Sequence, residues 1–326
     1  MTVAFFALGG TISMAGADGG VVTRLGAADL VAAVPGLAGL GVPLDVRDVD
    51  AVPSGNLTFD QVLDVVDRAR DAVAGGAAGV VVSQGTDTLE ETAFLADLVW
   101  DRPEPLVFTG AMRNPTLAGP DGPANLLAAV AVAADRAARD LGTLVVFADE
   151  IHAARRVRKT HSTSTATFAS PDTGPLGHVV ERTPRLLASV PRHPALARPA
   201  PGALAGVRVA LHTVTLDDDG SGLAGLADTQ QGLVVAGFGV GHVPAALAPV
   251  LGALAARIPV VLTSRTGAGA VLSATYSAVG SESDLARRGL LNGGFLHPYQ
   301  ARVLLRTLLA TGADRDRIAA AFAARG

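Results

Sequence analysis

The sequence predicts an α/β protein: a larger N-terminal domain on a doubly wound, mainly parallel sheet, followed by a smaller C-terminal α/β domain. Three observations predict it. Short apolar runs rich in β-branched residues alternate with segments of helical periodicity, as in parallel βαβ units. Two of the N-terminal runs end in glycine followed by threonine, and the carboxyl ends of strands in an open α/β sheet are where ligands bind. Prolines crowd the stretch from Thr183 to Pro201 (Pro184, Pro191, Pro194, Pro199 and Pro201), which divides the chain into residues 1–183, a linker over 184–204 and residues 205–326. A chain of 326 residues is long enough for two such cores.

The elements follow in order. Val3–Leu8 reads as a strand that runs into Gly9-Gly10 and then Thr11. The glycines permit a sharp turn and close approach to a ligand, the alternative being a plain turn with an incidental threonine. A second strand is expected at Leu44–Val49. Thr58 with Gln61 forms a capping box, and Phe59, Val62, Leu63, Val66 and Val73 then line one helical face up to Gly75-Gly76. Gly79–Ser83 is an apolar strand followed by Gln84-Gly85-Thr86-Asp87-Thr88. There Thr88 and Glu91 predict a second capping box, and the free N–H groups of that first turn favour anions. Thr86 and Asp87 read equally well as simple N-capping residues. Strands at Leu106–Gly110 and Thr143–Ala148 flank a helix with Asp121 as N-cap, Pro123 in its first turn and an end near Arg139. Beyond the linker, strands are expected at Val207–Thr213, Gly232–Ala236 and Val260–Ser264. Helices are expected at Val243–Arg257, at Tyr299–Ala310 and near the C-terminus.

Composition excludes several functions. Apolar residues make up 49% and charged residues 17%, so the chain is compact and globular, and a net charge of −4 gives no basic field for nucleic acid or anionic lipid. There are no cysteines, hence no disulfide or thiolate chemistry. The N-terminal apolar run is too short for a signal core and no stretch is long enough to span a bilayer, so a soluble cytoplasmic protein is expected. The seven histidines show no metal-ligand spacing. Gly237, Gly239 and Gly241 do not fit a dinucleotide fingerprint, so neither metal nor cofactor is expected. A threonine nucleophile needs something to take its proton, and the basic stretch Arg155, Arg156, Arg158, Lys159 and His161 supplies candidates, unless it is merely a solvated face.

Leu8-Gly9-Gly10-Thr11-Ile12 and Gln84-Gly85-Thr86-Asp87-Thr88-Leu89-Glu90-Glu91-Thr92 resemble the two signatures of the bacterial-type L-asparaginases. So do Gly110-Ala111-Met112-Arg113, Asp121-Gly122-Pro123, Asn125-Leu126, Lys159-Thr160 with Thr167-Phe168, and Gly174-Pro175-Leu176-Gly177. Ser264-Arg265 and Ala301-Arg302-Val303-Leu304-Leu305 extend the resemblance over nearly the whole chain. It implies that Thr11 is the nucleophile attacking the side-chain amide of asparagine, that an acyl-threonine ester and ammonia form, and that water releases aspartate. It also implies that Thr86, Asp87 and Lys159 form a second catalytic cluster. Asp87 would hold the substrate α-ammonium and Ser54 its α-carboxylate. The backbone at Gly10, Gly85 and Thr86 would donate to the developing oxyanion, and the Ala111 carbonyl would contact the leaving amide. Burial and inward-pointing arginines would favour a neutral Lys159, whereas Asp87 beside it would favour the ammonium. Lys159 is therefore expected to act in a proton relay with Thr86 and Asp87, not as a free-standing base.

The chain departs from the family pattern in two places. Family members carry a tyrosine in the loop after the first threonine, but Ala15–Leu25 contains none, and the chain's two tyrosines are Tyr276 and Tyr299. That loop, with Gly16, Gly19 and Gly20, reads either as a flexible lid or as a plain surface loop. Gly55 stands where many relatives have a glutamine that grips the substrate carboxylate. The resemblance also implies that a glutamate of a neighbouring subunit completes each site. Glu282 is the candidate, with a polar helix start capped by Ser281 as the other reading. A homodimer or homotetramer would follow. The expected function is hydrolysis of L-asparagine, with glutamine as a secondary substrate. The alternatives are a mixed glutaminase-asparaginase, a non-catalytic amino-acid-binding relative prompted by the missing tyrosine, and an amidotransferase subunit. The last would call for an extra N-terminal domain, whereas this chain is expected to begin at its first strand.

Overall fold

The structure, a computed structural model, describes residues 2–15, 22–23 and 26–326. It divides into two compact units, residues 1–196 and 197–326. The division falls inside the proline-rich segment 184–204, whose first residues, through Leu186, belong to the last strand of the first unit.

The first unit is built on an eight-stranded sheet. Its strands are β1 (Thr2–Ala7), β2 (Leu44–Asp48), β3 (Ala77–Ser83), β4 (Leu106–Thr109), β5 (Thr143–Phe147), β6 (Glu150–Ala153), β7 (Gly177–Val180) and β8 (Thr183–Leu186), in the order β8-β7-β6-β5-β4-β3-β1-β2. The run β2-β1-β3-β4-β5 is parallel. In this run strand order reverses between β1 and β3, the switch point at which a doubly wound sheet opens its ligand crevice. Val80, Val81 and Val82 are fully buried on β3, each contributing roughly 1.5–3 kcal/mol of hydrophobic stabilisation. Helices α1 (Ala27–Ala32), α2 (Phe59–Ala74), α3 (Leu89–Val99) and α4 (Gly122–Ala134) complete the unit. α2 carries the expected capping box, the Thr58 hydroxyl accepting from Gln61 N and Gln61 Oε1 from Thr58 N.

Strands β6 to β8 are antiparallel additions that the sequence pattern does not announce. Two-residue hairpin turns of the primed type need positive φ at both central residues and are usually signalled by Asn-Gly. Here the turns are Ala148-Asp149 (φ 49° and 62°) and Glu181-Arg182 (φ 51° and 64°).

Two expected caps are absent. Thr88 occupies the N-cap position of α3, but its hydroxyl donates to the Ser54 carbonyl at 2.9 Å instead of capping the helix, so there is no second capping box. Asp121 precedes α4, yet its carboxylate accepts from Met112 N and Arg113 N, and the helix ends at Ala134 rather than near Arg139.

The second unit holds a parallel sheet of β9 (Val209–Thr213), β10 (Gly232–Gly237), β11 (Val260–Ser264) and β12 (Leu291–Asn292), in that spatial order. Its helices include α5 (Leu247–Ala255), α6 (Glu282–Arg287), α7 (Pro298–Ala310) and α8 (Arg315–Arg325). α5 begins at Leu247 and not at Val243, because Val243 N donates to the Gly280 carbonyl and Pro244 stands in the preceding turn. Leu233, Val235, Leu247, Leu251, Val260 and Leu285 are fully buried in its core. No helix among the described residues is long and apolar enough to cross a membrane.

The loop expected at Ala15–Leu25 lies outside the described residues apart from Ala15 and Val22–Thr23. The backbone of Met14–Ala15 pairs antiparallel with Val22–Thr23. Thr58→Ala should lower unfolding free energy by about 1 kcal/mol through loss of the cap. Urea denaturation checks this, and an unchanged midpoint would show that the box is not stabilising.

Candidate active site

Past the ends of β1 and β3 the ladder continues for one more bond, Leu8 N donating to the Ser83 carbonyl at 2.9 Å. The chain then turns through Gly9 and Gly10 at φ 83° and 91°, a region that L side chains rarely enter. A Cβ on Gly10 would lie 2.2 Å from Gly85 N, and one on Gly85 would lie 2.7 Å from Ser54 Oγ. A Cβ on Gly110 would lie 2.4 Å from the Gln84 carbonyl oxygen. The ends of β1, β3 and β4 therefore meet backbone to backbone, and the Ser54 side chain packs directly on Gly85, with no room for further side chains between them.

Thr11 opens a short 3-10 turn over Thr11–Ser13, is half-buried, and follows directly on the Gly10 contact. Thr86 follows directly on Gly85 and is 5% exposed. Its hydroxyl lies 2.9 Å from Lys159 Nζ and 3.3 Å from Met112 Sδ, so it accepts from the ammonium and donates to the sulfur. The same Nζ lies 2.9 Å from Asp87 Oδ1. The Asp87 side chain is 78% exposed, which leaves its carboxylate open to a second cation. Exposed ion pairs contribute little stability, so the value of this one is positional. Lys159 reaches the rim on a two-residue antiparallel ladder, Arg158–Lys159 against Phe168–Ala169, and the Phe168 ring packs on Phe147 of β5 at 4.9 Å.

Ser54 is buried, starts a 3-10 turn over Ser54–Asn56 and is tied to α3 by Thr88. Gly55 beside it is exposed, and a Cβ there would meet nothing within 4 Å. Ala111 is buried, and its peptide with Met112 is gripped from one side: both Asp121 oxygens lie 3.0–3.1 Å from Met112 N. In a trans peptide the carbonyl points opposite to the N–H, so this grip aims the Ala111 carbonyl away from Asp121. Asn125 completes the frame. Its Nδ2 donates to the Gly110 carbonyl at 3.0 Å and its Oδ1 accepts from Ala148 N at 2.9 Å, joining the ends of β4 and β5.

Other expected participants have different tasks. The Arg155 guanidinium is held by Asp97 and the Val190 carbonyl, and His161 Nδ1 accepts from Thr163 N and Ser164 N within its own loop. Glu282 lies in the second unit as the first residue of α6, whose N-cap is Ser281. Its fully buried carboxylate accepts from Thr275 N at 2.8 Å, Tyr276 N at 2.7 Å and His242 Nε2 at 3.1 Å. Burial pushes this carboxyl up, but those donors outweigh burial and hold it below its ordinary value. Among the described residues no three His, Asp or Glu side chains are placed to hold a metal ion.

Asn125, Met112 and Glu90 carry no role in the reading of the sequence, and Asp121 is read there only as a helix N-cap. Glu90, buried on α3, accepts the main-chain N–H of Lys159 at 2.9 Å. Its helix is buried nearly all round, but the sequence, which also puts Glu91, Thr92 and Asp97 on that helix, does not single it out.

Residues 2–192 match the family model described as Asparaginase, N-terminal, and residues 208–322 match the Glutaminase/Asparaginase C-terminal domain. The chain is 36% identical over 304 residues to a probable L-asparaginase of Deinococcus radiodurans, covering 89% of this chain and 88% of the relative. It is 32% identical over 333 residues to a glutaminase-asparaginase of Pseudomonas aeruginosa, covering 98% and 89% respectively. Among solved structures, that of the probable cytoplasmic L-asparaginase from Campylobacter jejuni superposes with a TM-score of 0.87 at 30% identity over 99% of both chains. A doubly wound sheet with two threonine-bearing turns in contact at its switch point is thus the framework of an amidohydrolase. The chain belongs to the asparaginase/glutaminase family.

Burial pushes the Glu90 carboxyl up from its ordinary 4.5 to about 7, Glu91 adding to the rise while the Lys159 N–H and the Arg158 and Lys159 charges oppose it. A carboxyl raised in the folded state stabilises fully below its unfolded value and loses that contribution as pH rises through the folded one. Wild type should therefore lose stability relative to Glu90→Gln, by up to about 3 kcal/mol, between pH 4.5 and 8. Urea unfolding of both proteins across that range checks it, and a difference that stays flat with pH contradicts it.

Proposed function

We propose that the protein hydrolyses the side-chain amide of L-asparagine to L-aspartate and ammonia through an acyl-threonine intermediate. The observation that carries this is the placement of Lys159 Nζ at 2.9 Å from both Thr86 Oγ1 and Asp87 Oδ1, one residue past a glycine packed against Gly10. Thr11 Oγ attacks the amide carbon and its proton passes to the leaving nitrogen, so that ammonia departs and an aspartyl ester remains on Thr11. Water then attacks the ester carbon, and its proton passes by way of Thr86 Oγ1, in the relay with Lys159 and Asp87, to the Thr11 oxygen released as the ester bond breaks. Main-chain N–H groups at Gly10, Gly85 and Thr86 face the developing oxyanion. Asp87 takes the α-ammonium, Ser54 the α-carboxylate, and the Ala111 carbonyl the leaving amide.

Glutamine is the secondary substrate of this reading, supported by the glutaminase-asparaginase relative. One extra methylene is worth only about 1–3 kcal/mol of discrimination in a pocket. The reading places the enzyme in the cytoplasm as a homodimer or homotetramer. There Glu282 of one copy completes the site of the next by exchanging part of its internal set of donors for that contact.

Ammonia release from asparagine and from glutamine tests the activity, and asparagine binding without release would make the chain an amino-acid-binding protein instead. Lys159→Met should remove most of kcat with the fold intact by circular dichroism, and near-normal turnover would sink the role of that lysine. Gly55 has space for a side chain, so Gly55→Gln should lower KM for asparagine several-fold by adding a donor near Ser54, about 1 kcal/mol for one hydrogen bond. A KM that does not fall would remove position 55 from the carboxylate site.

A further inference from the structure

Helix α3 buries Leu89, Ala93, Phe94, Leu95 and Ala96, and among them it buries a carboxyl, Glu90, at 7% exposed. Taking such a group out of water is costly unless its oxygens are bonded. Its described bond runs to a residue 69 positions away, Glu90 Oε2 accepting Lys159 N at 2.9 Å. Lys159 sits on a ladder only two residues long, too short to be rigid by itself, and pairs there with Phe168. Glu90 closes the outward main-chain N–H of that short strand. The same start of α3 also presents Thr86 and Asp87 to the far end of the lysine. One turn of chain thus holds both the root and the head of the Lys159 side chain.

We infer that Glu90 is a positioning residue for the reaction: its carboxyl clamps the Lys159 main chain so that the amine is delivered between Thr86 Oγ1 and Asp87 Oδ1. The inference rests on the role proposed above for Lys159. The groups that act on the carboxyl are Arg158 and Lys159 from the ladder and Glu91 from its own helix. With those neighbours Glu90 changes charge at about 7, and a hydrogen bond to an ionised acceptor is the stronger one. The clamp therefore tightens as pH rises through neutrality.

Steady-state kinetics on asparagine with wild type, Glu90→Ala, Glu90→Gln and Lys159→Met test this between about pH 5.5 and 9. Glu90→Ala should lose about tenfold or more in kcat with KM nearly unchanged, as expected when a reacting group is misplaced without loss of substrate contacts. Glu90→Gln keeps an oxygen acceptor that cannot ionise. It should restore kcat to near wild type while abolishing the step in the pH profile near 7. Wild-type kcat in Glu90→Ala, or an unchanged step in Glu90→Gln, overturns the inference. If circular dichroism shows that Glu90→Ala does not fold, the Glu90→Gln profile decides alone. Lys159→Met separates the two levels. Normal turnover in it overturns the lysine's role and this inference together, whereas an inactive Lys159→Met beside unaffected Glu90 variants overturns only the clamp.

Discussion

The backbone contact between Gly10 and Gly85 fixes where the rest of the site can lie. A Cβ on Gly10 would stand 2.2 Å from Gly85 N, well inside contact distance, so the two strand ends are pressed together as closely as peptide groups allow. Parallel pairing of β1 with β3 brings the ends level, and the reversal of strand order at this point leaves a crevice above them. Each glycine is followed by a threonine. The sheet thus brings two threonine-bearing turns, 75 positions apart in sequence, into contact at one mouth. Ser54 closes a third side because its own side chain packs on Gly85, and Thr88 ties its carbonyl to α3.

The amine comes from elsewhere in the topology. After β5 the chain reverses through Ala148-Asp149 and runs antiparallel as β6, and only then does it return to the rim as the Arg158–Lys159 ladder. Positive φ at two non-glycine residues is unfavourable, of order 1–2 kcal/mol each. The bond from Ala148 N to Asn125 helps to offset this. Asn125 also grips the Gly110 carbonyl, so the reversal that leads toward Lys159 and the turn that aims the Ala111 carbonyl share one side chain. The antiparallel strand β6 is the arm that leads the chain to the lysine.

Much of this was legible in the sequence, and what was legible follows a physical rule. The five parallel strands, the Thr58 capping box and the two glycine–threonine turns are local patterns, each written within about ten residues. The site residues came partly from such patterns and partly from resemblance, and the structure brings Gly10, Ser54, Gly85, Thr86, Asp87, Ala111 and Lys159 into one unit. What was not legible depends on contacts distant in sequence. Thr88 and Asp121 look like caps to a local rule, but a loop amide or carbonyl outcompetes the helix for each. β6 to β8 were hidden because their turns lack glycine or asparagine. Glu90 was hidden because a glutamate in a first helical turn is ordinarily a solvent-facing favourable charge.

The two threonines are not equivalent, and the difference lies in which polar groups the fold places beside them. Thr86 has Lys159 at 2.9 Å, rooted by Glu90 and paired to Asp87. Four of the seven histidines, the usual acceptors, are committed to other partners. His161 caps its own loop, and His152 is buried on Ser170, with burial and His178 pushing it down to about 4. His212 pairs with Asp218 and His242 with Glu282 in the second unit. Thr11 has instead what its turn provides: a backbone folded by two left-handed glycines and a half-buried position directly after the Gly10–Gly85 contact. In the proposed reaction Thr11 attacks the bound amide, where the leaving nitrogen can take up the proton as the bond breaks. The same proposal gives the Lys159-backed Thr86 the water step, in which no leaving amine is present to do so. The division of labour proposed for the threonines rests on where one strand ladder, two residues long, delivers a single amine.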